Sequence, residues 1–287
     1  VVANNVIYFY NSASHRIRAI DAFTGVLLWS IRQPGVRALG VAEGFLLALL
    51  EDGLQVYAPV DRIFFAQIAD GEGATTLLAL NNLENEEATV RVDFFDDDGN
   101  ALPMGIVGEA METTTVELSI AAQETARLET DGSRPTVTGG WAVVTSSGRI
   151  AGASIFQTGD GEEIFFEAGV GDAAATGAAT VFVTREANAT GGEFNTGVAI
   201  ANPSDENAVV TIEFRRTLPS QLVSSTTMTL PPNGHVALFL HELFAVSAVL
   251  GSQGTLVITS DLPVAVAALR TQNGFQMSSY PVGLAVR

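Results

Sequence analysis

Apolar and polar positions alternate along most of this chain, in short runs. Between residues 76 and 168 the runs fall at 76–80, 88–95, 115–120, 125–130, 139–145, 150–158 and 163–168, with turn residues between them. A second series follows at 196–200, 208–215, 226–230, 235–240, 254–259, 264–270 and 275–280. A period of two sends successive side chains to opposite faces, so these runs predict half-buried strands joined by tight turns. The exception is His241-Glu-Leu-Phe-Ala-Val-Ser-Ala-Val249, where the spacing predicts a helical turn.

The two series are copies of one unit. Ala79-Leu-Asn-Asn-Leu-Glu-Asn-Glu-Glu-Ala-Thr-Val-Arg-Val-Asp-Phe-Phe95 aligns with Ala199-Ile-Ala-Asn-Pro-Ser-Asp-Glu-Asn-Ala-Val-Val-Thr-Ile-Glu-Phe214, which sets Asn82 on Asn202. Ile120 to Leu128 then matches Leu230 to Leu238, and Trp141 to Ser154 matches Thr255 to Ala268. About seven strands per hundred residues is the spacing of a β-sandwich, and the absence of a cysteine pair makes it Ig-like in architecture only. The expected organisation is a sandwich at 62–170, a small-residue linker at 171–179 and a second sandwich at 180–287. Strung end to end, such modules make a rod. The repeated unit resembles a tandem domain of uncharacterised secreted bacterial proteins, a resemblance that covers 62–287 and implies no activity.

Residues 1–61 read differently. Val6-Ile-Tyr-Phe-Tyr10 is a strand, Ser12 to His15 a turn and Arg16-Ile-Arg-Ala-Ile20 a second strand, followed by a turn into Val26-Leu-Leu-Trp29. Ala19-Ile-Asp-Ala-Phe-Thr-Gly25, with Trp29 four residues after the glycine, resembles a blade repeat of the quinoprotein-like β-propeller family. A weaker second repeat spans Phe45 to Tyr57. The resemblance implies about one and a half blades, where a ring needs about four or more to close. Quinone binding is not implied, because that family's cofactor sits in a complete ring. An open sheet leaves backbone groups unpaired along its edge. Three resolutions stand open: the tail of a longer propeller, a small sheet packed on the first sandwich, or a sheet completed by a neighbouring subunit through β-augmentation.

Composition sharpens this picture. Hydrophobic residues make up 47% of the 287 and charged residues only 16%, against about 25% charged in an ordinary soluble domain. No uncharged apolar run reaches the roughly 18 residues of a membrane span. Surplus apolar side chains then point to large cores or to subunit contacts. Net charge is −18, and all 14 basic residues are arginine. Such a chain lacks the clustered cations that a phosphate backbone demands, which excludes nucleic-acid binding. Cysteine is absent, which removes disulfides and thiol chemistry. Together with a start at Val1 and no signal sequence, this fits a processed bacterial export product, extracellular or at the cell surface.

Candidate chemistry is thin, and neither a catalytic residue nor a cofactor is expected. Asp96, Asp98 and Asn100 place oxygens at alternate positions, as a calcium loop does, but lack its glycine and closing glutamate; a hairpin turn is the simpler reading. His15, His235 and His241 have no zinc-ligand spacing. Ser154 lies on an expected strand rather than a nucleophile elbow, and Glu86-Glu87 and Glu162-Glu163 fall in turns. Asn188-Ala-Thr190 is the sole N-glycosylation sequon. Contact candidates are Ile7, Phe9, Phe45, Leu47, Phe94 and Phe165, since one member of each adjacent Phe pair must face away from its core. The sequence therefore points to an all-β, non-enzymatic structural protein: a partial propeller-like sheet followed by two tandem Ig-like β-sandwich domains. It would self-assemble into a homo-polymer such as a surface filament. The alternative is a carbohydrate-binding or adhesin module with glycan partners.

Overall fold

The computed structural model describes residues 1–3, 6–21, 27–42, 45–57, 61–159, 163–187, 192–217, 221–273 and 276–284. Regular structure is almost entirely β, as the alternation predicts. The chain divides into two compact units, residues 1–61 and 62–285.

The N-terminal unit holds strands β1 (Val2–Ala3), β2 (Val6–Asn11), β3 (Arg16–Asp21), β4 (Leu27–Arg32), β5 (Ala38–Ala42), β6 (Phe45–Leu49) and β7 (Leu54–Tyr57). They form two antiparallel meanders, β1-β2-β3-β4 and β5-β6-β7. Ile17, Leu46 and Ala48 are buried between the meanders, with Tyr8, Tyr10, Leu39, Val41 and Tyr57 packed around them.

In the second unit the first repeat holds β8 (Asp61–Asp70), β9 (Ala74–Asn82), β10 (Ala88–Phe95), β11 (Thr115–Ile120), β12 (Thr125–Glu129), β13 (Thr138–Ser146), β14 (Ile150–Gly159) and β15 (Ile164–Gly171). Sheet β11-β10-β13-β8 faces sheet β12-β9-β14-β15. Their shared core includes Phe65, Leu80, Val92, Phe94, Met104 and Val144.

The second repeat holds β16 (Thr176–Ala187), β17 (Glu193–Ala201), β18 (Ala208–Arg216), β19 (Gln221–Leu230), β20 (His235–Phe239), β21 (Ser252–Gln272), β22 (Gln276–Ser279) and β23 (Val282–Leu284). Single helical turns α1 (Leu240–Leu243) and α2 (Val246–Val249) occupy the stretch where a helical turn is expected. Strand order repeats that of the first copy, with one difference. Ser252–Ser260 of β21 pairs with β16 and β18, whereas Ala265–Gln272 pairs with β17. One strand thus belongs to both layers, and the sheet curls around its core as a half-barrel. Pro263 stands at the crossing, where a missing N–H costs no ladder bond. The first copy makes the same passage through a turn at Ser147–Arg149 between β13 and β14. In both copies the crossing residue accepts a backbone N–H: Ser147 Oγ from Thr89 at 2.9 Å and Asp261 Oδ1 from Val209 at 2.7 Å.

Two expectations about the repeats need correction. Residues 171–179 are not a tether: Gly171 ends β15, Ala173 bridges to Phe64, and Thr176 already begins β16. Nor are the repeats strung end to end. The outer face of β8 and β13 (Phe64, Ala66, Trp141, Val143) packs directly on an alanine face of β17 and β21 (Ala199, Ala201, Ala265, Ala267). Small residues on one sheet let the large ring of the other approach, so the two repeats stack by their faces.

Turns seal this seam. Trp141 Nε1 donates to Asn233 O at 2.7 Å, His235 N donates to Asp97 O at 3.0 Å, and His235 Nδ1 lies 2.7 Å from Asp97 Oδ1. Gly99 has φ +83°, and a Cβ there would collide with the Pro232 carbonyl. Glycine is therefore needed for both its backbone angle and its contact.

Candidate interaction surface

The hairpin of β6 and β7 determines which side chains of the N-terminal unit are left uncovered. Leu50 N donates to Gly53 O at 2.8 Å across the turn Glu51-Asp52-Gly53, which aligns Leu49 with Leu54 and Leu47 with Val56. Cross-strand partners share a face. Leu46, Ala48 and Tyr57 accordingly point inward to the small core, while Leu47, Leu49, Leu54 and Val56 form a row on the opposite face. Leu49 is 48% exposed, Leu54 59% and Val56 48%. Beside the row, β5 contributes only Ala38 and Gly40; a Cβ on Gly40 would meet nothing within 4 Å. Strand β7 has no neighbour on its far side among the described residues. Ordinary surfaces scatter apolar residues singly, so a contiguous row beside an open edge is a candidate contact surface.

The other meander exposes a face of different chemistry. Ile7 pairs with Ile20 and Phe9 with Arg18, on the side away from Ile17 and Ala19. Ile7 is 36% exposed, and Phe9 and Ile20 are half-buried. Arg18 is half-buried, and its Nε is itself buried with no hydrogen-bond partner among the described residues. Arg32, paired in register with Arg16, is exposed, whereas Arg16 is buried and donates to Ser30 Oγ at 3.1 Å. Acidic groups sit instead at the β6–β7 hairpin, where Glu51 and Asp52 are exposed and Arg37 reaches Glu51 at 2.9 Å. Both partners of that pair are well solvated, so it contributes little. Residues 1–61 hold four arginines and five acidic residues, leaving −17 of the −18 in the remainder. Burial pushes the phenols of Tyr8 and Tyr57 above their usual pKa.

Other residues singled out from sequence have different places. Phe94 is not a surface residue: it follows Ala88, Val90 and Val92 into the core, while Phe95 faces the seam and stacks on Trp141 at 5.3 Å. Phe165 is 52% exposed on edge strand β15, next to exposed Ile164. Phe45 pairs with Ala42 in β6, but its side chain lies outside the described residues, as does Asn188 with its sequon. Asp96 and Asn100 are bound to each other in the hairpin, Asp96 Oδ1 accepting from Asn100 N at 2.8 Å and Oδ2 from Asn100 Nδ2 at 3.2 Å. That turn presents Asp97 and Gly99 to the second repeat, and Asp98 stands exposed beside it. The histidines are dispersed: His15 meets Tyr10 OH at 3.1 Å, His241 meets Asn195 Nδ2 at 3.1 Å, and His235 lies in the seam. Ser154 is buried, and its hydroxyl reaches Val170 O at 3.4 Å.

Leu49, Leu54 and Val56 were not among the residues expected at an interface. Their signal is the register of the Glu51-Asp52-Gly53 turn, which converts two separate apolar strands into one row. The chain matches no protein-family model, no curated protein and no solved structure.

Proposed function

We propose that this protein is a non-enzymatic, extracellular structural subunit that self-assembles into a surface filament or similar polymer. In this reading residues 1–61 are a propeller-like sheet segment that a neighbouring subunit completes, and the two repeats are Ig-like sandwiches that form its body. The observation that carries it is the row Leu47, Leu49, Leu54 and Val56 beside the open edge of β7. Covering the exposed half of Leu49, Leu54 or Val56 yields about 1 kcal/mol each, and half-buried Leu47 adds less. Together they fall near the lower bound of about 4 kcal/mol that association costs. A small ligand covering part of the row gains too little, so the surface calls for a partner of sheet size.

The test is light scattering on the intact chain across a concentration series, with negative-stain electron microscopy of the same samples. Mass rising with concentration above the monomer's 30.1 kDa, together with regular fibres or rings, is the expected result. Monomers at every concentration sink this reading. Saturable glycan binding by those monomers would favour the alternative, a carbohydrate-binding or adhesin module using exposed aromatics such as Phe165.

A further inference from the structure

We infer that copies of this chain join through two unlike faces of the N-terminal unit, the Leu49/Leu54 face of one copy receiving the Ile7/Arg18 face of the next. The inference rests on the self-assembly proposed above and adds its polarity and its residues.

Three features select a second copy as the occupant. The first is chemistry matched across the two faces. The receiving face has an apolar row with acidic Glu51 and Asp52 at the hairpin beside it; the other has Ile7, Phe9 and Ile20 with Arg18 and Arg32 among them. Arg32 is exposed on that face, and Asp52 offers a carboxylate that no described cation engages. An apolar face edged by anions and an apolar face edged by cations, on one unit of near-zero net charge, favour head-to-tail contact over like-to-like contact.

The second feature is shape. Ala38 and Gly40 are small residues of β5 beside Leu47 and Leu49, and a Cβ on Gly40 would meet nothing within 4 Å, which leaves room for a ring from an opposing sheet. Phe9, half-buried on its own sheet, projects from the face that would oppose it. The same unit already packs sheet on sheet in this way, its inner faces meeting through Tyr8, Tyr10 and Ile17 on one side and Leu46 and Ala48 on the other.

The third is net charge. Residues 62–287 carry −17, so copies meeting through their sandwiches repel one another. The nearly neutral unit is where close approach costs least.

A contact between unlike faces leaves one free face of each kind at the ends of any chain of copies. It therefore propagates, as a filament or as a ring if the rotation closes. An isologous contact stops at a dimer. Two full-length variants separate these cases. Leu49→Arg with Leu54→Arg blocks the receiving face, and Ile7→Glu with Arg18→Glu blocks the other. Circular dichroism and melting temperature close to the parent's establish that each variant folds.

By light scattering, each variant alone is expected to lose assembly and run as a monomer, whereas an equimolar mixture yields a particle of twice the monomer mass and nothing larger. Charge exchange supplies a milder second test: Asp52→Arg assembles poorly alone, and mixing it with Arg18→Glu restores association. A mixture that stays monomeric overturns the inference, as does a folded Ile7→Glu/Arg18→Glu variant that assembles like the parent. If the parent itself is monomeric, the proposed function fails first; if the parent assembles and the variants do not complement, only the polarity fails.

Discussion

Asn82 and Asn202 show how a single polar side chain closes each repeat. Asn82 is almost fully buried, and its Nδ2 donates to the carbonyls of Glu86, Ile120 and Ala121 at 2.7–3.1 Å, while Oδ1 accepts from Glu84 N at 2.9 Å. Asn202 repeats the pattern with Glu206, Leu230, Pro231 and Ser204. An amide alone supplies donors and an acceptor on one short planar group, so neither Asp nor Leu replaces it. Asn82→Ala strands buried carbonyls at the end of β11 and is expected to lower stability by about 2–3 kcal/mol, read as a lower urea midpoint at unchanged slope. A midpoint equal to the parent's would mean that water takes over those carbonyls. The importance of this asparagine was legible in the alignment of the repeats, but its role was not. Two of its partners, Ile120 and Ala121, lie on a distant segment that alternation cannot bring to it.

At the scale of elements, the seam depends on one ring meeting a face of alanines. Trp141 is fully buried between β13 and the Ala199/Ala267 face, stacked on Phe95 and bonded to Asn233 O. Trp141→Ala removes the largest side chain of that layer and leaves a cavity that two rigid sheets cannot close. A loss of about 3–5 kcal/mol is expected. Because the repeats share this layer, calorimetry should show one transition in the parent resolving into two in the variant; a single transition at the parent's temperature would mean that the turns alone hold the stack. In the second copy the matching position is Thr255, on the outer face away from the seam. That face also carries Glu213 and Arg215, 2.7 Å apart.

For the whole molecule, net charge is segregated along the chain. Nearly all the excess acid lies in residues 62–287, and the open apolar row lies in residues 1–61. Repulsion between copies reaches across about 30 Å at 0.01 M salt and about 8 Å at 0.15 M. Self-association is accordingly expected to strengthen over that range, because screening weakens many long-range repulsions and leaves apolar burial intact. The one complementary pair per junction, Arg18 with Asp52, weakens too but is outnumbered. Association that falls steadily with added salt would instead mark a contact made mainly by ion pairs.

By itself the sequence determined most of the strands, though not β8 or β16, with their two faces, the duplication, and the different character of the first sixty residues. These follow from local periodicity and turn chemistry, which need no distant partner. It also held the phase that takes Phe94 inward, written in Ala88, Val90 and Val92. Only the tertiary structure decided which outer faces are covered. Alternation gives every strand two sides but says nothing of what stacks on them, and that choice was made by residues far apart: Trp141 against Ala199 and Ala267, Gly99 against Pro232, Asp97 against His235. The same reason turned an expected linker into strand and an expected rod into a stack, since alanine and glycine read as featureless until a large ring is brought against them.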